Sequence, residues 1–255
     1  MLHGDYGFDA PYIPIGFAIA AVLAFCFAVI LFASSFWWLA GVSLVGAVVF
    51  ALSTINFLWT TRRGKFIVWS ELLDTLALRG DERLLDVGCG RGMVLILAAK
   101  RLPAGHAFGV DLWTADQSGN SEQVTLRNAE IEGVRDRIEL HTADMRQLPF
   151  PDESFDVVTS SLAIHNIRDT QGRSRALAEL LRVLKVGGTA MIADILHTAE
   201  YQRYFSAQPG TKVERQPLGW RFWYGGPQVA TALVKVQRTT DLIKIKPRAS
   251  ATNEP

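Results

Sequence analysis

Hydrophobic and polar positions divide this chain in two. Between residues 10 and 61 no Asp, Glu, Lys or Arg occurs, and nearly every charge lies beyond that run. A bilayer core about 30 Å thick takes roughly 20 apolar residues of helix. Residues 13–33 meet that length alone, Ser34 and Ser35 interrupt the pattern, and residues 36–59 supply a second span. The uncharged run is too long for one crossing and suits a helical hairpin. Tyr12, Trp37, Trp38 and Trp59 stand at the ends of the two spans, where interfacial aromatic residues are expected. The reading is an anchor over residues 1–62 with two transmembrane helices.

Beyond the anchor, the pattern alternates between short apolar runs and amphipathic stretches, as in a parallel sheet covered by helices on both faces. Strands are expected at residues 83–87, 107–110, 137–141, 155–160 and 189–195. Helices fit residues 93–101, 122–132 and 173–184, the last stopped by Gly187-Gly188. The reading weakens afterwards, with a helix at 199–207 and two further strands near 212–216 and 229–236. Residues 66–76 form an amphipathic helix that either packs on the sheet or lies on the bilayer. The domain is placed at residues 63–240 and a polar tail at 241–255.

Charge fixes the orientation. Arg62, Arg63 and Lys65 follow the second span directly, while the turn between the spans has no basic residue. Positive flanks stay inside, so the domain and, after two crossings, the N-terminus are expected to be cytoplasmic. Asp5 and Asp9 precede the first span and neither help nor oppose this. A net charge of +1 offers no field to recruit nucleic acid. Cys26 and Cys89 do not form a disulfide framework, which fits a reducing compartment for the domain.

The chemistry concentrates in Asp86-Val87-Gly88-Cys89-Gly90-Arg91-Gly92, directly after the first strand of the domain. Glycines there let the backbone turn sharply and approach a ligand. An acid about 20 positions on can hold a ribose, and Asp111 fills that place. The spacing is GxGxG rather than the GxGxxG of dinucleotide folds. Asp86 inside the strand suits a cationic ligand better than a phosphate.

From about residue 65 to 238 the sequence resembles a class I S-adenosylmethionine-dependent methyltransferase of the small-molecule group that includes the quinone-biosynthesis C-methyltransferases. Five stretches match in order: Asp86–Gly92, Val110-Asp111, Ala143-Asp144-Met145, residues 155–166, and residues 181–188, where Val186 replaces a proline. The resemblance implies a Rossmann-like α/β fold with a seven-stranded sheet. It implies S-adenosylmethionine as cofactor, with S-adenosylhomocysteine as product. It assigns cofactor contacts to Asp86, Gly88, Cys89, Gly90, Gly92, Asp111, Leu112, Asp144, Met145 and Ser160, and no metal.

His165, after the fourth strand, is the candidate base or acceptor-orienting group; the alternative is a histidine that only bonds its loop. His141 and His197 read as structural, and Asp156 as a cap or loop partner. Residues 220–224 either wall an acceptor pocket, touch lipid, or pack as ordinary core. The implied function is methyl transfer to a small lipophilic acceptor beside the bilayer. An oxidoreductase using a nicotinamide or flavin, and a non-catalytic anchored scaffold, are the alternatives. Nucleic-acid methylation is disfavoured, with no basic stripe and SSLAIHN where such enzymes carry an NPPY-type motif. The oligomeric state is not legible.

Overall fold

A computed structural model describes residues 2–114 and 119–239; the expected tail at 241–255 lies outside them. Two helices open the chain, α1 (Tyr12–Ala33) and α2 (Trp37–Trp59). Neither carries a charge, and their outward faces are lined with exposed Ile, Val, Leu and Phe, so neither has a polar side to turn to water. The chain reverses at Ser34-Ser35, with Ser35 in the left-handed region. Ala28, Ala40 and Ala47 are buried between the helices, where small side chains allow close approach. Ser43 Oγ donates to the Ala24 carbonyl across the pair at 2.8 Å.

No linker follows. α2 passes through a π-helical turn at Thr60–Gly64 into α3 (Lys65–Asp74), one continuous helical stretch from Trp37 to Asp74. Arg62 and Arg63 point outward on this turn, while Lys65 is buried and ion-paired to Asp9 at 2.7 Å. Lys65 is therefore not a free basic flank, and the exposed positive charge after the second span rests on the two arginines. α3 buries Val68, Trp69, Leu72 and Leu73 against the domain, which decides between the two readings of residues 66–76 in favour of packing.

The domain is a mixed sheet of seven strands among the described residues: β1 (Arg83–Val87), β2 (His106–Asp111), β3 (Ile138–Thr142), β4 (Phe155–Ser161), β5 (Leu184–Asp194), β6 (Thr211–Pro217) and β7 (Ala232–Arg238). Their order is β3-β2-β1-β4-β5-β7-β6. Pairings among β1 to β5 are parallel; β7 runs antiparallel to both β5 and β6. Four helices accompany the sheet: α4 (Met93–Ala99), α5 (Glu122–Ile131), α6 (Thr170–Val183) and α7 (Thr198–Ser206). Leu84, Leu85 and Val87 of β1 are fully buried, alternately joining the two cores on either face. Burial of each such side chain is worth about 1.5–3 kcal/mol.

Strand order reverses between β1 and β4. Ligands of open parallel sheets bind outside the carboxyl ends of the strands at that point. One expected feature is corrected. Gly187-Gly188 do not stop α6; the helix ends at Val183 and the chain enters β5 directly. Gly188 instead permits close strand contact, since a Cβ there would lie 2.8 Å from the Asp156 carbonyl oxygen. The last strand also starts later than expected, because residues 227–229 form a 3-10 turn.

Candidate active site

A cleft of about 430 Å³ opens at the reversal point, lined by Gly88, Asp111, Leu112, Asp144, Met145 and Ala163 among others. That volume is in the range of nucleoside-sized ligands. Gly88 has φ +73°, and a Cβ on it would run into the Ala163 methyl, so the floor of the cleft is bare backbone. Asp111, at the end of β2, takes the Gly90 amide on Oδ2 and the Trp113 amide on Oδ1, each at 2.8 Å. The glycine-rich turn is thus held in shape by an acid that lines the cleft.

Asp86 lies behind the same turn, 2 % exposed. It accepts from Thr159 Oγ1 at 2.8 Å and from the Leu95 amide at 3.1 Å. Burial pushes its carboxyl up to about 7, partly offset by these two bonds, and the nearby Asp111 adds a smaller push in the same direction. A buried acid so placed is suited to a cationic group that would restore its ionised form.

Asp144 stands across the cleft with its carboxylate gripped by Arg146: Nε meets both oxygens at 3.0 and 2.9 Å and Nη2 meets Oδ2 at 2.6 Å. This bonding holds Asp144 below the ordinary carboxylate range. Asn120, Asn166, Arg168 and Asp169 also line the cleft; none of them was singled out from sequence.

Five of the residues assigned from the sequence, Asp86, Cys89, Gly90, Gly92 and Ser160, do not line the cleft. Cys89 is buried beneath the turn against Gly109, and burial pushes its thiol well up, leaving it without thiolate chemistry. Gly92, at φ +83°, makes room for Thr125 of α5, whose methyl a Cβ would meet at 2.8 Å. Ser160 is buried and donates to the Val87 carbonyl at 2.9 Å, tying β4 to β1. Gly90 contributes its backbone: its amide meets Asp111 and its carbonyl accepts from Thr125 Oγ1.

His165 lies in a 3-10 turn after β4, and it has a partner that sequence reading did not supply. Its Nδ1 is 2.6 Å from Oδ1 of Asp194, the last residue of β5. Asp194 is buried, receives the His165 amide on Oδ2 at 3.1 Å and the Tyr201 hydroxyl at 3.3 Å, and takes the Ile195 amide on Oδ1. Burial foremost, with Asp194 beside it, pushes the Tyr201 hydroxyl up, so it stays a donor to that carboxylate. A carboxylate beside Nδ1 favours one tautomer of the ring; the cleft itself is lined by Ala163 and Asn166 on either side of His165, not by His165. An acid at the carboxyl end of the fifth strand was the available signal.

His141 pairs with Glu139 at 2.8 Å and His197 lies 3.6 Å from Glu200, both structural placements. Asp156 receives the Arg83 amide and pairs with Lys185, a loop role. The aromatic stretch at 220–224 is split: Phe222 and Tyr224 are core, whereas Trp220 is exposed and packs on Trp59 with ring centroids 4.9 Å apart.

Residues 85–192 match the family model described as Methyltransferase domain. A ubiquinone/menaquinone biosynthesis C-methyltransferase of Roseobacter denitrificans is 35 % identical over 131 residues, 50 % of this chain and 48 % of the relative. A sterol 4-C-methyltransferase of Caenorhabditis elegans is 28 % identical over 132 residues, 52 % of this chain and 36 % of the relative. The chain spans about half the length or less of the curated relatives it matches. Among solved structures, a geranyl diphosphate methyltransferase in complex with S-adenosylmethionine superposes with TM-score 0.54 at 18 % identity, over 68 % of this chain and 85 % of the other. A [4+2]-cyclase superposes at TM-score 0.53 and 20 % identity, over 67 % of this chain and 81 % of the other. At these identities the structures show the fold alone, and the cyclase illustrates that this fold hosts other chemistry.

Proposed function

We propose, from the premise that this chain carries a class I S-adenosylmethionine-dependent methyltransferase domain, that it methylates a small lipophilic acceptor at the cytoplasmic surface of a membrane. S-adenosylmethionine is the cofactor of such domains, and it supplies an electrophilic methyl on a sulfonium. The residues present fit it: a bare-backbone floor at Gly88, a ribose acid at Asp111, and a buried carboxyl at Asp86 suited to a cation. Asp144 and Met145 are suited to the adenine end.

The observation that carries the reading is the joint between anchor and site. α2 runs without a linker into α3, and Trp69 of α3 donates its Nε1 to Ser161 Oγ at 2.8 Å, at the end of β4. The cleft is therefore held at a set place beside two apolar helices, each long enough to cross a bilayer. Acceptors that partition into lipid concentrate there, and the quinone and sterol relatives support that substrate class. Exposed Arg62 and Arg63 after the second span support a cytoplasmic domain. Residues 2–10 pack against the domain, which supports an N-terminus on the same side.

His165 is the proposed base. Its Nε2 takes the proton the acceptor loses, while Asp194 fixes the ring and stabilises the imidazolium. Positioning the acceptor and excluding water are the remaining demands of an in-line displacement.

Calorimetric titration of the detergent-solubilised full chain with S-adenosylhomocysteine tests the cofactor, wild type beside Asp111→Ala. Binding in the wild type, weakened in the variant, is expected. His165→Ala should keep the affinity yet lose about 10²- to 10⁴-fold in methyl transfer to a quinone-like phenol in liposomes. Failure of the wild type to bind would overturn the reading, and an unimpaired His165→Ala would remove the base.

A further inference from the structure

Between β6 and β7 the chain leaves the sheet and returns through residues 218–231, and this connection meets both apolar helices. Asn56, about one turn before the end of α2, donates its Nδ2 to the Trp220 carbonyl at 3.0 Å. The Trp220 ring lies on that of Trp59, the last residue of α2. The next residue is as close, since a Cβ on Gly64 of the π-helical turn would meet the Arg221 carbonyl oxygen. On the other helix, Gly225 takes φ +101°, and a Cβ there would stand 2.6 Å from the Phe17 ring. Phe17 lies about 7.5 Å along α1 from Tyr12, at about 1.5 Å per residue. The connection therefore runs level with the domain ends of both helices.

Three features suit that level to lipid headgroups rather than to bulk water. Trp220 is 58 % exposed, and among the described residues it is the one exposed aromatic side chain beyond residue 59. A tryptophan with one apolar face and one polar N–H settles at a membrane–water interface. Backbone close to hydrocarbon must also find its hydrogen bonds within the protein. Here the amides of Phe222, Tyr224, Val229 and Thr231 donate to the carbonyls of Gly219, Val229, Gly226 and Phe222 at 3.0–3.2 Å. Arg62 and Arg63 are exposed on the turn that Arg221 backs onto, and they form no ion pair among the described residues. Guanidinium groups so placed match lipid phosphates.

We propose that the β6–β7 connection, residues 218–231, is seated in the headgroup layer of a phospholipid bilayer with Trp220 as its interfacial anchor. The inference rests on the reading that α1 and α2 cross that bilayer. It gives the domain a second hold on the membrane besides the helices. Ala232, directly after the connection, pairs with Asp194 at the carboxyl end of β5. The end of the sheet turned to the lipid is therefore the carboxyl end of the parallel strands, where the cleft opens.

The test reads depth in the full chain, in liposomes of phosphatidylcholine and phosphatidylglycerol. Trp220→Cys in a Cys26→Ser background carries an environment-sensitive fluorophore, while Cys89 is buried and escapes labelling. The reference label sits at Lys212→Cys in the same background, exposed at the other end of β6. Lys212 and Pro217 stand about 17 Å apart, at about 3.3 Å per residue. Lipids with a nitroxide near the headgroup should quench residue 220 at least about twofold more than residue 212. A label on native Cys26, exposed within α1, reports the helices, and lipids with a nitroxide deep in the acyl chain should quench it. Trp220→Phe keeps a ring on Trp59 and gives a second readout. It should lose part of the intrinsic quenching by lipids brominated near the headgroup and none of that by deeply brominated ones. Residue 220 quenched no more than residue 212, or Trp220→Phe quenched like the wild type, would overturn the seat while a quenched Cys26 leaves the hairpin standing. An unquenched Cys26 would overturn the hairpin reading, and the seat with it.

Discussion

Asp86 shows how one residue couples burial, stability and ligand choice. Its carboxyl is pushed up to about 7 from an ordinary 3.8, chiefly by burial. The folded protein therefore favours the protonated form. Stability from this residue is greatest below about pH 4 and falls as pH rises toward about 7, because over that window the folded state holds a proton the unfolded state has lost. Asp86→Asn removes the dependence. The variant should gain melting temperature over the wild type as pH is raised from about 5 to about 8, with the gap opening through that window. On the proposed cofactor reading, the same variant should lose about tenfold or more in S-adenosylhomocysteine affinity at high pH, where wild-type Asp86 is ionised behind the glycine turn. Melting curves of the two proteins that stay parallel across the range would show that Asp86 is not held neutral. Asp144, gripped by Arg146 and pushed the other way, gains stability in the opposite sense, retained at neutral pH and lost in acid.

Among the elements, the π-helical turn at Thr60–Gly64 sets how the two apolar helices join the domain. Thr60, Thr61 and Gly64 are buried there, and the Asn56 side chain donates to the Trp220 carbonyl at 3.0 Å. A Cβ at Gly64 would run into the Arg221 carbonyl and the Trp59 ring. Arg221 in turn clasps Glu71 of α3 with two bonds of 2.7 Å. Gly64→Val should cost about 1–3 kcal/mol and loosen the joint. Proteolysis between residues 59 and 66 should rise and transfer to a membrane-borne acceptor should fall, with cofactor affinity kept. A variant as protease-resistant and as active on that acceptor as the wild type would mean the joint is not rigidly required.

At the scale of the molecule, two apolar helices and a ligand cleft are parts of one packed body. Residues 2–10, the hairpin and residues 220–225 meet where Phe8 and Tyr224 both pack on Phe57 and where Phe17 lies against Gly225. This packing puts residues 2–10 and the domain on one side of any bilayer that surrounds the two helices. With both helices crossing, the Ser34-Ser35 turn must emerge on the other. In intact cells, Ser35→Cys in a Cys26→Ser background should react with an impermeant maleimide added outside, and His3→Cys should not. Labelling of His3→Cys alone would invert the topology, and labelling of neither would argue that the helices do not cross.

The sequence by itself determined what depends on neighbouring residues. An uninterrupted uncharged run can only be satisfied as helix in an apolar setting. Glycines after an apolar strand, with an acid near 20 positions on, mark a ligand turn. Thus the two apolar helices, five strands and the turn that brings Gly88 and Asp111 to one cleft were legible. The helix stop at Gly187-Gly188 was misread because a glycine pair serves a turn and a close strand contact equally well. What only the tertiary structure decided joins distant residues: Asp194 on His165, 29 positions apart, and Asp5 on Arg91, 86 apart. Lys65 and Arg62 read alike along the chain, and only folding buries one against the half-buried Asp9 carboxylate and leaves the other exposed. Local pattern records which face of an element is apolar. Which charge a side chain meets is set by the packing of those faces, a property of the whole chain at once.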